Sequence, residues 1–401
     1  MERKILHIDV NNAFLSWTAV EMLKNGYSID IRTIPSIIGG DETKRSGIVL
    51  AKSTKAKEVG VRTADTIYEA RRKCPNIRIY KSNYKIYKKY SDMLYELFLE
   101  YTDKVERYSI DECFLDMTNY LMEDTIENKA LEISNRVKRE LGFTVNVGIA
   151  NNKLLAKMAS DFEKPDRIHT LYKEEIKSKM WPLPVSELFM LGKKTVPKLL
   201  NMQIKTIGDL AHSDKNRIIE KFGKHGKMIW EYANGIDDSA VQYIENKPKC
   251  ISREITLSEN TDDINKIEEI LLVIAEQITY QLRKSKLFAQ TVGVKLRTSN
   301  FEDLSHQGKL SSETDITKII YAKGKELVEE LYHKPIKIRQ VGLRVDNLVE
   351  QKDRQISLFE DGKNEKQEKL DKVLDALKDK YGYNKIMRAG SLKEKDMLNR
   401  K

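Results

Sequence analysis

The chain is 401 residues long, 40% apolar and 33% charged, with a formal net charge of +10. A length of this order implies several domains, because one hydrophobic core rarely grows so large, and no apolar run is long enough to suggest a membrane-spanning helix. The start shows no signal-peptide pattern, and Cys74, Cys113 and Cys250, widely spaced and without zinc spacing, read as reduced thiols of a cytosolic protein.

In chain order, residues 4–10 read as a strand and 11–25 as a turn and helix ending near Asn25-Gly26. The runs 31–38 and 47–51 are apolar and β-rich, separated by Gly39-Gly40-Asp41 in the manner of a hairpin. Short helices are expected over 53–59 and 65–73, the second stopped by Cys74-Pro75. Between residues 44 and 90, fourteen Lys and Arg face only Glu58, Asp65 and Glu69. That local excess points to a polyanionic partner more firmly than the net charge does. Ile86, Tyr90, Met93, Leu94, Leu97 and Tyr101 then repeat at three and four, the stripe of a long helix facing a core. Two strands flank Asp111. A helix near 125–141 stops at Gly142, Thr144–Ile149 reads as a strand, and a helix begins after Asn152. This mixed order is that of an α+β core with an inserted segment at about 20–75.

Trp181-Pro182-Leu183-Pro184 marks a boundary, and residues 185–232 read as short helices punctuated by glycines. Residues 233–249 look like a linker. Beyond it come strand 250–257, helix 262–284, strand 290–298, a weakly marked strand near 307–312, helix 314–331 and strand 336–347. That β-α-β-β-α-β order is a split sandwich with helices on one face, and Arg253, Lys295, Arg297, Lys337, Arg339 and Arg344 are expected to project from its strands. The tail after 350 is polar except for Gln355-Ile356-Ser357-Leu358-Phe359, and 364–383 reads as a charged amphipathic helix.

Two segments carry chemistry. Ile5-Leu6-His7-Ile8-Asp9-Val10 and the stretch around Ser109-Ile110-Asp111-Glu112 are apolar runs interrupted by acid. A carboxylate inside such a run is costly to bury unless a cation or hydrogen bonds compensate it. Asp9, Asp111 and Glu112 on two neighbouring strands form a natural seat for two Mg²⁺ ions, which bind through a few carboxylates and substrate phosphates and can clamp both oxygens of an in-line phosphoryl transfer.

Residues 105–116 (VERYSIDECFLD) resemble the signature of the Y-family, or translesion, DNA polymerases, and residues 7–14 (HIDVNNAF) resemble their N-terminal strand and turn. The likeness continues through residues 145–153, 156–161 and Lys164-Pro165, and covers the chain from residue 1 to about 360. It implies a right-hand polymerase: a palm (1–19 and 76–166), small fingers (20–75), a helical thumb of helix-hairpin-helix type (167–232), a linker (233–249), a little finger (250–349) and a tail (350–401). It implies that Asp9 and Asp111 bridge two Mg²⁺ ions, that Glu112 ligates the ion at the primer 3′-hydroxyl, and that the Val10 carbonyl completes the nucleotide-side ion. Phe14 falls at the steric gate against ribonucleotides, and Lys164 at the triphosphate-binding lysine. The segment 49–57 is similar to the catalytic subunit of DNA polymerase V. Where the polymerase IV branch usually has Tyr and Arg, this chain has Thr54 and Lys57, and both are expected at the triphosphate. Ile48 and Leu50 are expected over the nascent base pair. Leu191-Gly192-Lys193-Lys194 departs from the glycine-rich thumb hairpin of the family. The strand bases of the little finger are expected along duplex DNA. Gln355, Ile356, Leu358 and Phe359 resemble the bacterial sliding-clamp peptide, in which a few anchors fill a pocket at high effective concentration. The expected partners are primer–template DNA, deoxynucleoside triphosphates and the clamp, for a monomer acting in the cytoplasm at the bacterial nucleoid. Two rivals, a clamp- and DNA-binding factor without chemistry and a nucleotidyl cyclase, lack a use for the full set of carboxylates or for the basic little finger and clamp peptide.

Overall fold

β1 (Ile5–Val10) is buried along its whole length, and the sheet built around it positions the carboxylates Asp9 and Glu112. In this computed structural model, residues 2–40, 47–121, 124–244, 247–333, 336–350, 363–386 and 388 are described. They fold as two units, Met1–Glu42 with Ser46–Glu245, and Asn246–Lys401.

In the first unit β1 runs into α1 (Ala13–Lys24), whose N-cap Asn12 is left-handed (φ 48°) and turns the chain sharply after the strand. A small three-stranded sheet follows. β2 (Ser36–Gly39) and β3 (Val49–Lys52) pair antiparallel, as the hairpin signal implied. α2 (Thr54–Glu58) is capped by Ser53 and α3 (Ile67–Lys73) by a Thr66–Glu69 capping box. β4 (Arg78–Lys81) then pairs parallel to β2. This strand had no expectation from sequence, and of the run 31–38 only 36–38 joins the sheet, because Ile31–Thr33 forms a 3₁₀ turn. α4 (Tyr84–Leu99) buries Tyr87, Tyr90, Leu94, Leu97 and Phe98.

The chain returns through β5 (Val105–Arg107) and β6 (Glu112–Asp116). α5 (Ile126–Arg136) continues as a π turn to Leu141 before the left-handed Gly142, so the expected helix is present but changes its winding at the end. β7 (Val145–Ala150), α6 (Lys153–Ser160) and the short β8 (Ile168–Thr170) complete a five-stranded sheet in the order β5-β6-β1-β7-β8. Asn152 caps α6 by accepting from the Leu155 N–H (2.8 Å). α6 lies hard against β7: a Cβ on Gly148 would stand 1.9 Å from the Ala156 carbonyl oxygen and 2.5 Å from the Ser160 nitrogen. Helical segments α7 (Val196–Asn201), α8 (Ile207–His212) and α9 (Lys215–Ala233), the last broken at Gly223 (φ 61°), share a second core with α6. The start of the expected linker belongs to this unit. Asn152 donates to the Gly235 carbonyl, and the Leu154 N–H to Asp237.

The second unit follows the expected order: β9 (Cys250–Thr261), α10 (Ile264–Lys284), β10 (Ala289–Thr298), β11 (Asp303–Thr314), α11 (Thr317–Leu331) and β12 (Ile338–Asp346). Its sheet runs β11-β10-β12-β9, with both helices packed on one face. The weakly marked strand is real and long. β11 is an edge strand with mostly exposed side chains, so no apolar alternation announced it. α12 (Lys363–Tyr381) docks here through buried polar groups. Asp371 accepts from the Thr317 N–H (3.0 Å), supplying the cap that α11 lacks locally, and Arg283 pairs with Asp375 (2.6 Å). Residues 351–362, including the expected clamp peptide, lie outside the described residues. Among the described residues no helix is long and apolar enough to cross a membrane, and Cys74, Cys113 and Cys250 are free.

Gly148→Ala is expected to lower stability by about 2–3 kcal/mol through overpacking, read as a lower denaturant midpoint. An unchanged midpoint would mean that α6 does not need this close approach.

Candidate active site

The antiparallel register sets Asp9 opposite Glu112, and the Val10 N–H donates to the Asp111 carbonyl (3.0 Å). The end of β1, the start of α1 and the turn before β6 thereby meet at one cavity of about 440 Å³. Asp9, Val10 and Asp111 line it, and so do Phe14, Thr54, Lys57 and Lys164. These are all the expected metal and nucleotide residues except Glu112. Leu50 is also in the wall, while Ile48 is exposed elsewhere.

Phe14 is half-buried and its ring stacks on Tyr87 (centroids 4.4 Å apart, 14° between planes), with Tyr84 at its edge (5.9 Å). The ring is thus fixed from behind and offers its free side to the cavity. Lys164 is carried by the loop after α6. A buried amide network holds that loop: Asn11 accepts from the Asp166 N–H (2.9 Å) and donates to Asn146 (3.0 Å), which in turn donates to the carbonyls of Ser160 (3.1 Å) and Glu163 (2.6 Å).

Each carboxylate has its own partner. Lys164 reaches Oδ2 of Asp9. Burial dominates at Asp9 and pushes its carboxyl up despite this lysine. Ser109 donates to Asp111 (2.6 Å). Oε2 of Glu112 takes both Nε2 of His7 and Nζ of Lys157, each at 3.3 Å, and Oε1 has no protein partner among the described residues. Burial alone would raise the Glu112 carboxyl. The His7 hydrogen bond and the Lys157 charge outweigh it and hold the group down at about 2. His7 is fully buried, and burial lowers its pKa, so its ring is neutral at physiological pH. Nδ1 lies 2.7 Å from Ser160 Oγ, whose hydroxyl donates to the Lys157 carbonyl (2.8 Å), and Nε2 lies 3.3 Å from Oε2 of Glu112.

Sequence reasoning missed His7, Lys157 and Lys52. The signal for the first two was present: a histidine inside a fully apolar strand and a lysine on the apolar face of a helix both demand a buried partner. Lys52 lines the cavity and donates to Thr63 (3.0 Å), and burial, then the nearby Lys57, lower its pKa.

On the second unit, a shallow groove of about 490 Å³ crosses the open sheet face, floored by Gly293 and Gly342 and flanked by Lys295 and Arg344. Arg297 follows Lys295 on the same side of β10 and pairs with Asp303 (2.6 Å). Lys295 faces Glu254 (3.2 Å), Arg344 faces Asp346 (2.6 Å), Arg339 lies over the Phe301 ring (4.9 Å) and Lys337 is exposed. Arg253 is a correction. It shares the strand parity of buried Ile251, Ile255 and Leu257 and reaches Gln281 of α10 (3.4 Å), so it lies on the helix-covered face and does not join the open one.

The profile of the impB/mucB/samB family matches residues 8–161, and that of the family's C-terminal domain residues 248–358. The DNA polymerase IV of Clostridium acetobutylicum is 48% identical over 99% of this chain and 100% of its own length. The chain belongs to this family, the Y-family DNA polymerases of the polymerase IV kind. The DNA polymerase IV of Acetivibrio thermocellus is 36% identical over the full length of both chains. Among solved structures, the Y-family DNA polymerase chimera Dbh-Dpo4(243-245)-Dbh superposes with a TM-score of 0.75 over 86% of this chain and 99% of the chimera, at 23% identity. The insertion ternary complex of Dbh DNA polymerase does so with a TM-score of 0.61 over 86% of this chain and 99% of its own, at 24% identity. The right-hand architecture read from sequence is therefore that of this polymerase.

The folded-state pKa of Glu112 lies below its unfolded value near 4.5. Its contribution to stability is present above that pH and is lost as pH falls toward 2. Glu112→Gln is expected to flatten the decline in stability between pH 4.5 and 2, measured by denaturation across pH. Equal slopes in parent and variant would show that His7 and Lys157 do not hold the carboxylate.

Proposed function

We propose that the cavity beside β1 receives the triphosphate of an incoming deoxynucleotide and the primer 3′ end. As a member of its family, the chain is a DNA-directed DNA polymerase of translesion synthesis in DNA repair and damage tolerance. The observation that carries the reading of the site is that Asp9, Asp111, Phe14, Thr54, Lys57 and Lys164 line one cavity.

A divalent metal follows from the family, and the proposal here is two Mg²⁺ ions. The donors suit a hard cation, being carboxylate and carbonyl oxygens only. Among the described residues no three acidic, histidine or cysteine side chains close on an ion by themselves. That fits Mg²⁺, which takes one or two carboxylates and completes its shell with substrate phosphates and water. Asp9 and Asp111 would hold both ions, Glu112 the one at the primer hydroxyl and the Val10 carbonyl the one at the nucleotide. When bound, the ions lower the pKa of the 3′-hydroxyl and neutralise charge on the triphosphate. Lys57, Thr54 and Lys164 bind the phosphates, Lys57 as a point charge without the bidentate fork of an arginine. Phe14, fixed against Tyr87, closes the space that a ribose 2′-hydroxyl would need.

Lys295, Arg297, Lys337, Arg339 and Arg344 are proposed to track the duplex backbone, with phosphates replacing Asp303, Glu254 and Asp346 as their counter-charges. Such contacts position DNA without reading its sequence. We further propose that residues 355–359 bind the sliding clamp, that the polymerase is monomeric and works in the cytoplasm at the nucleoid, and that the little finger begins at 249/250. The fingers are proposed to start after α1 and to reach through β4, which pairs with β2, and the palm to reach through β8, which pairs with β7, in place of the expected 19/20, 75/76 and 166/167.

Asp111→Ala is expected to abolish nucleotide incorporation in primer extension and to leave primer–template binding largely intact. Retained incorporation would refute the metal assignment. Phe14→Ala is expected to raise ribonucleotide incorporation relative to deoxyribonucleotide by at least about ten-fold, a size typical of a lost steric contact. An unchanged ratio in single-nucleotide kinetics would place the gate elsewhere.

A further inference from the structure

Asp161 stands midway along a row of alternating charges that starts at Glu112 and ends at Asp9. Its Oδ2 lies 3.3 Å from Nζ of Lys157, which is also 3.3 Å from Oε2 of Glu112. Its Oδ1 lies 2.8 Å from Nζ of Lys164, which also sits on Oδ2 of Asp9. One carboxylate therefore holds both lysines, one on each oxygen, and each lysine touches a different metal-site acid.

Helix capping does not account for Asp161. It follows the last residue of α6, where the helix dipole disfavours a negative charge. Its side chain is 47% exposed, so no packing requirement selects an acid there either. The two ammonium groups are its counterpart. Lys157 is almost wholly buried and is carried by a helix that Gly148 presses against the sheet, so its position is fixed. The backbone around Lys164 is held by the Asn11–Asn146 network, but its side chain is 37% exposed, so the ammonium can swing.

A cation that takes Oδ2 of Asp9 has to compete with the Lys164 ammonium, since two like charges on one oxygen repel. The loop lysine then needs another anion, and the triphosphate is within the same cavity. We propose that Asp161 is a positioning residue of the reaction: it is the pivot on which Lys164 passes from Asp9 to the nucleotide phosphates, and it anchors Lys157, which holds one oxygen of Glu112 and leaves the other for metal. The proposal rests on the metal-and-nucleotide reading of the cavity.

The test uses the full chain on a primer–template whose 3′ end is a dideoxynucleotide, so that binding is read without chemistry. Mn²⁺ binding without nucleotide is followed by electron paramagnetic resonance, and nucleotide affinity by titration with the templated triphosphate. Lys164→Met is expected to tighten Mn²⁺ binding and weaken nucleotide binding. Asp161→Asn is expected to weaken nucleotide binding roughly five-fold, the size of a modest ion-pair coupling, to weaken Mn²⁺ binding by leaving Lys164 on Asp9 alone, and to be partly rescued by Asp161→Glu. In the Lys164→Met background Asp161→Asn should cost no further nucleotide affinity. An equal loss in both backgrounds, or no tightening of Mn²⁺ in Lys164→Met, overturns the pivot. Incorporation that survives Asp111→Ala would instead sink the underlying reading of the cavity. A dead Asp111→Ala without coupling in the cycle would sink the pivot alone.

Discussion

The pairing of β1 with β6 is the constraint from which the site follows. One ladder fixes Asp9 against Glu112 and hands the Val10 N–H to the Asp111 carbonyl. A slip of one residue would turn each acid to the opposite face of the sheet. The buried apolar residues that alternate with them make such a slip very costly. The other neighbour of β1 is β7, and β7 brings α6 with it. Asp9 thus stands on the central strand, Asp111 and Glu112 come from one side of it, and the lysines that answer them come from the other.

This arrangement explains why so many charges can stand together in a half-buried place. Every carboxylate of the site has a donor: Ser109 for Asp111, His7 and Lys157 for Glu112, Lys164 for Asp9. A lone buried charge costs far more than a paired one. The pairs are weak enough to be exchanged because several of the partners are partly exposed.

Much of this was legible in the sequence, for stated reasons. The acid-in-strand pattern identified Asp9, Asp111 and Glu112, and residue-by-residue likeness to a polymerase family identified Phe14, Thr54, Lys57 and Lys164, six of which reach one cavity with Val10. What stayed hidden depends on contacts between segments distant in the chain. No local signal says that Glu112 turns toward His7 rather than into the cavity, or that β4, four residues long, pairs parallel with β2. Arg253 is different, because its parity with Ile251 and Ile255 already placed it on the covered face. Its charge alone does not set the face on which it lies; the alternation of the strand does. β11 was faint because an exposed edge strand has no need of apolar residues on either side.

The helix that follows residues 351–362 closes the second unit in an unexpected manner, because Asp371 finishes a helix that begins 54 residues earlier. The C-terminal region is therefore part of the domain's architecture and not an appendage. A stop codon or protease cut just after residue 359 would spare the peptide expected to engage the clamp, yet it would uncover Arg283 and the bare first turn of α11. A chain trimmed at residue 358, where the match to the family's C-terminal domain ends, loses a piece of the folded body.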